Sequence, residues 1–89
     1  MISNIPRNSK LLWRSRRGSR ELDSLLLPFV RNHIKHSGPY DLSILERFLE
    51  ISDPVLIDWL LGNSAPKVEE FSILVKQILE FSLDHKQKY

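Results

Sequence analysis

Leu22, Leu25, Leu26, Phe29, Val30 and Ile34 recur at spacings of three and four, a period that puts all six on one face of an α-helix. An apolar face of that width has to be covered, so this stripe commits the chain to a packed helical core. Shorter stripes flank it. Leu42, Leu45, Phe48 and Leu49 mark another helix, Leu56, Trp59 and Leu60 the next, and Val68, Phe71, Val75 and Ile78 a last one starting near Lys67. Breaks fall between them at Ser37, Gly38 and Pro39, and again from Gly62 to Pro66. Ser52 or Asp53 followed by Pro54 is a helix start, because proline fits the first helical position.

Upstream, Ser9 is placed to cap a short helix from about Lys10 to Arg17, with Gly18 at the left-handed position beyond its end. Pro28 lies within the clearest stripe, where it removes a backbone donor and crowds the carbonyl of Ser24, so a bend is expected there. No segment alternates at period two for long, and none repeats. The expected fold is all-α: a single-domain, irregular, antiparallel bundle of five helices over residues 9–83, with a loose leader at 1–8 and a fraying tail at 84–89.

A chain of 89 residues buries only roughly 60 to 65% of its unfolded surface, so one modest core carries the whole fold. There is no cysteine, which excludes disulfide staples, thiolate metal sites and a cysteine nucleophile. Apolar runs such as Leu25 to Leu27 are far shorter than the ~20 residues that span a bilayer. The polar start, Met1 to Lys10, does not read as a signal peptide. A cytoplasmic protein without membrane insertion is expected.

Enzymatic chemistry finds little to stand on. The glycines are isolated at 18, 38 and 62, so no phosphate loop forms, and no serine sits in a nucleophile elbow. Glu69 and Glu70 read as a solvated pair at a helix start. His33 and His36 have the spacing of two ligands on one helical face, but no cysteine or nearby carboxylate completes a set. No catalytic residue and no metal site are expected. Trp59 is expected in the core, whereas Leu11, Leu12 and Trp13 are the only apolar anchors of the first helix, and one of them is a candidate for a partner surface.

The charge is unevenly spread. Residues 1–20 hold Arg7, Lys10, Arg14, Arg16, Arg17 and Arg20 and no acid, a charge of +6, while the remaining 69 residues hold seven bases and eleven acids, −4, which gives the net +2. Within Trp13-Arg-Ser-Arg-Arg-Gly-Ser-Arg-Glu-Leu-Asp23, a positive φ at Gly18 would reverse the chain and let the Arg17 and Glu21 side chains emerge from one corner between helices. Glu21 and Asp23 also suit the first turn of a helix on electrostatic grounds alone, and both readings stand on the residues.

Here the sequence resembles the SdhE-type assembly factors, whose hallmark is an Arg-Gly-x-x-Glu motif. It reads Arg16-Arg17-Gly18-Ser19-Arg20-Glu21-Leu22-Asp23, and the similarity continues through Leu27-Pro28-Phe29, Leu49-Glu50-Ile51-Ser52-Asp53-Pro54 and Trp59-Leu60, over roughly residues 10 to 80. Two positions depart: Ser19 stands where a bulky Met is common, and Val30 where a second aromatic often follows Pro-Phe. Ser19 is a candidate N-cap instead, which leaves only the fine shape of the surface altered.

The resemblance implies a non-catalytic five-helix protein. It would bind the flavoprotein subunit of succinate dehydrogenase, and in the family often that of fumarate reductase, to promote histidyl-FAD linkage. On that reading no cofactor is stably bound, and the FAD acted on is carried by the partner. Arg17, Gly18 and Glu21 are the expected partner contacts, with Arg16 and Asp23 behind them. Two rivals remain: a nucleic-acid module built on the basic end, against which Glu21 and Asp23 argue, and a helical interaction domain for an unrelated protein.

Overall fold

The computed structural model describes residues 6–86, and side chains over 6–84. Among them are five helices and no strand: α1 (Arg7–Arg14), α2 (Arg20–His36), α3 (Pro39–Phe48), α4 (Asp53–Leu61) and α5 (Glu69–Lys86). The last helix packs against α2, α3 and α4, and α1 packs against α2. The expected stripes supply the core, except that Val68 is exposed and stands before α5, which starts at Glu69 rather than near Lys67. Leu11, Leu22, Leu26, Val30, Leu45, Phe48, Leu56 and Ile78 are each fully buried or nearly so, joining all five helices in one apolar cluster.

The first helix lies three residues earlier than its spacing suggests. Pro6 precedes it, and Arg7 fixes its start across the fold by donating to Ser43 Oγ at 2.8 Å and to Glu46 Oε1 at 3.2 Å on α3. It ends at Ser15 rather than Gly18, because the buried Ser15 hydroxyl donates to the Leu12 carbonyl at 2.7 Å and its N–H closes on Leu11. Such a side-chain bond satisfies a carbonyl that the helix end leaves orphaned. The expected leader therefore includes the first residues of α1, while residues 1–5 lie outside the described part. At the other end α5 continues to Lys86, and residues 87–89 of the expected tail likewise lie outside it.

Helix α2 runs through Pro28 without interruption, and Ser19 caps it by accepting the Leu22 N–H at 3.4 Å. Pro54 stands in the first turn of α4 behind Ser52, and Gly62 ends that helix in the left-handed region at φ 82°. Trp59 is half-buried, at the edge of the core rather than inside it. Its ring lies 6.0 Å from Phe48 and 6.1 Å from Phe71, and those two rings meet edge to face at 5.5 Å. This aromatic group welds α3, α4 and α5 and fixes the α3–α4 junction at 49–52.

Candidate functional site

The loop from Ser15 to Ser19 carries the sequence block singled out above. Gly18 adopts φ 78°, and a Cβ added there would meet nothing within 4 Å. The backbone thus requires glycine for its dihedral angle and not for lack of room; any L-residue would be strained in this region. Gly18 is exposed, as are Arg16, Arg20 and Glu21. The Glu21 carboxylate meets the Ser19 hydroxyl at 3.4 Å and has no ion pair among the described residues.

Arg17 is placed differently from its expected outward display. Its side chain is only 16% exposed and turns under the loop, toward the α3–α4 junction. There Nη2 donates to the Leu49 carbonyl, and Nη1 lies 3.5 Å from Asp53 Oδ1. The reason is physical. Leu49 is the C-cap of α3, so its carbonyl has no partner within the helix, and the planar guanidinium fork can serve that carbonyl and a neighbouring carboxylate together. Asp23 works from the other side by accepting the Arg17 N–H at 2.7 Å, which closes the turn onto α2. The motif thus separates into a concealed strut, Asp23–Arg17–Asp53, and an exposed crest of Arg16, Gly18 and Glu21.

The remaining candidates for chemistry stay apart. No group of three or more His, Cys, Asp or Glu side chains able to hold a metal occurs among the described residues. His33 stacks on Phe29 with ring centroids 5.0 Å apart, while His36 is exposed and His85 lies outside the described side chains. Burial of its ring holds the His33 pKa below 6.5, partly opposed by the carboxylate of Asp41. The folded state therefore favours neutral His33. The stability this contributes is complete above the unfolded pKa and is lost as pH falls through the lower folded one. In thermal melts at stepped pH, wild type is expected to lose stability relative to His33→Gln as pH drops below 6.5, and parallel curves would contradict this.

Comparison with known proteins settles the lineage. The family model described as "Flavinator of succinate dehydrogenase" matches residues 9–82, a span that contains the strut, the crest and all but the ends of the bundle. The chain belongs to this family. Among its curated relatives, the "FAD assembly factor SdhE" of Coxiella burnetii is 35% identical over 75 residues, covering 84% of this chain and 92% of the relative. That of Pseudomonas savastanoi pv. phaseolicola is 34% identical over 80 residues, 90% of this chain and 94% of the relative. That of Legionella pneumophila is 39% identical over 66 residues, 74% and 84% respectively. Family membership places the Gly18 corner inside the shared region, and the geometry shows which of its groups a second molecule can reach.

Two features were missed by sequence reasoning. One is the pairing of Arg17 with residues 32 and 36 positions further on, for which no local pattern exists. The other is the anchoring of Arg7, whose partners on α3 are 36 and 39 positions away. An unpaired arginine before the first apolar stripe was the only available signal, and that signal fits a loose leader equally well.

Proposed function

We propose that this protein binds the flavoprotein subunit of succinate dehydrogenase, and the related subunit of fumarate reductase, and promotes covalent attachment of FAD to it. The relatives' name as FAD assembly factors supports this reading, and so does one structural observation: an exposed glycine corner at positive φ, flanked by reachable ions of both signs and braced from beneath. The protein is a helper in this reading. The bond forms within the partner, the FAD remains the partner's, and no residue here acts on the flavin chemically.

A binder shifts a conformational equilibrium only by its difference in affinity for the two states. The crest therefore has to meet a surface that changes as the partner becomes competent for flavin attachment. Gly18 allows close backbone approach, Glu21 accepts hydrogen bonds from the partner and Arg16 donates them, while Asp23 and Arg17 hold the corner rigid. Rigidity matters because a preordered loop loses little entropy on binding.

Co-expression with the flavoprotein subunit tests the reading. Wild type should raise covalent flavin, read as fluorescence of the denatured subunit in a gel, and should co-purify with the subunit. Glu21→Ala should reduce covalent flavin about tenfold, in line with loss of a hydrogen bond to a charged group worth about 1.5 kcal/mol, while helicity and melting temperature stay the same. Unchanged flavinylation with and without the protein would refute the proposal.

A further inference from the structure

Trp13 is 77% exposed, although Leu11 two residues before it is completely buried. Helix α1 thus spends its smaller side chain on the core and holds its largest one outside. A lone exposed apolar residue is ordinary, but the surroundings of this one are not. Trp13 stands between two shallow grooves. Ser9, Leu12, Leu27, Arg16 and Arg31 line the first, and Arg14, Arg16, Arg17, Leu49 and Glu50 the second. Arg16 belongs to both, and through it the indole is continuous with the Gly18 crest.

The charges around the indole indicate what it meets. Arg16 and Arg31 are exposed and have no ion-pair partner among the described residues, and Arg14 reaches Glu50 only at 3.7 Å. An amphipathic ring flanked by two guanidinium groups, Arg16 and Arg31, that have no ion pair among the described residues has the make-up of an interface anchor: Trp and Arg dominate binding hot spots because each buries a large area around a fixed polar geometry. Such a rim fits carboxylates on the opposing surface, and the floor of Leu12 and Leu27 fits an apolar protrusion. Single-stranded nucleic acid would also stack on a tryptophan, and the binding test distinguishes that ligand from the flavoprotein subunit.

We infer that Trp13 is the apolar anchor of the partner-binding surface, docking against an acidic-rimmed apolar patch of the flavoprotein subunit, with Arg31 as a contact outside the family motif. The inference rests on the proposed function and names residues beyond that motif. Trp13 touches no flavin and performs no chemistry; it contributes buried area next to the crest.

The test measures binding of the purified full-length chain to the flavoprotein subunit by calorimetry, with Trp13→Ser, Trp13→Phe, Arg31→Glu and Glu21→Ala alongside wild type. Trp13→Ser should bind about tenfold more weakly, the size expected for truncating an anchor, and Trp13→Phe should recover part of the loss. Arg31→Glu should weaken binding most at low salt. Melting temperatures should match wild type, since both side chains lie on the surface. Acrylamide quenching of Trp13, isolated by difference against Trp13→Phe so that Trp59 cancels, should fall in the complex. If Glu21→Ala weakens binding and Trp13→Ser does not, the docking inference fails and the assembly reading survives. If wild type does not bind the subunit, the assembly reading fails and takes this inference with it. Trp13-dependent binding to a single-stranded oligonucleotide or to phosphatidylserine vesicles, with subunit binding unaffected, would overturn it in favour of those ligands.

Discussion

Arg17→Ala should destabilise the protein by about 3 kcal/mol and abolish flavinylation support, although most of the Arg17 side chain is turned away from solvent. The substitution removes the donor to the Leu49 carbonyl and the ion opposite Asp53. Leaving a buried acceptor unsatisfied costs about 1 to 3 kcal/mol, and removing one member of a buried ion pair about 3 to 5. The loss falls below the sum of these two figures because the pair is only partly buried, for two reasons. Asp53 is 37% exposed and so regains water, and Arg17 Nε already has no hydrogen-bond partner among the described residues, so the native arrangement is not fully compensated either. For a domain of this size about 3 kcal/mol lowers the melting temperature by roughly 12 to 24 °C.

Arg17→Lys separates charge from geometry. An ammonium retains the charge near Asp53 but cannot hold a carbonyl and a carboxylate in one plane, so Lys should recover less than half of the loss. Asp53→Asn should produce a smaller defect of the same kind, because the fork keeps Leu49. A melting temperature within a degree or two of wild type for Arg17→Ala would show that the strut contributes nothing, and the division of the motif into strut and crest would then fall.

That division marks where sequence reasoning reached its limit. Four of the five helices were legible because each buries a stripe at spacing three or four, and burial against neighbours requires such a stripe whatever the tertiary arrangement; α1, which buries Leu11 alone, was legible only from its flanking Ser9 and Gly18. Ser19 was legible as a cap and Gly18 as a left-handed residue, since both depend on the local backbone alone. The direction of the Arg17 side chain was not, because its acceptors come from the other side of the fold. A positive φ at Gly18 fixes how the main chain turns and leaves open whether the preceding arginine points to solvent or back under the loop; the unpaired carbonyl at the end of α3 decides that. One long-range pairing and one local bond draw α1 toward the N-terminus. Arg7 reaches α3 and Ser15 folds its hydroxyl onto Leu12, so the cap expected at Ser9 and the stop expected at Gly18 are both displaced.

Phe48→Ala should be the most damaging single change in the bundle, lowering stability by about 3 to 5 kcal/mol. Phe48 is completely buried and lies against both Trp59 and Phe71, so its removal opens a cavity among α3, α4 and α5 that neither neighbour can fill without leaving its own contacts. Small domains hold about 5 to 15 kcal/mol in total, and a core this modest belongs at the low end, which leaves the variant partly unfolded at 37 °C. Urea titration should show a lower midpoint with an unchanged slope, while Leu61→Ala, at a side chain 70% exposed, should stay within about 0.5 kcal/mol of wild type. The consequence for function differs from that of Glu21→Ala. Phe48 is the residue before Leu49, so the cavity loosens the carbonyl on which Arg17 and the Gly18 corner rest, and the crest loses its preordering only as the fold loosens. Flavinylation support by Phe48→Ala should therefore fall at 37 °C and return when co-expression is carried out at a temperature low enough to refold it. Support by Glu21→Ala should stay low at both temperatures, because its defect lies in the contact itself. Equal recovery of the two variants on cooling would mean that Glu21 acts through stability, and the exposed crest would lose its claim to be the binding surface.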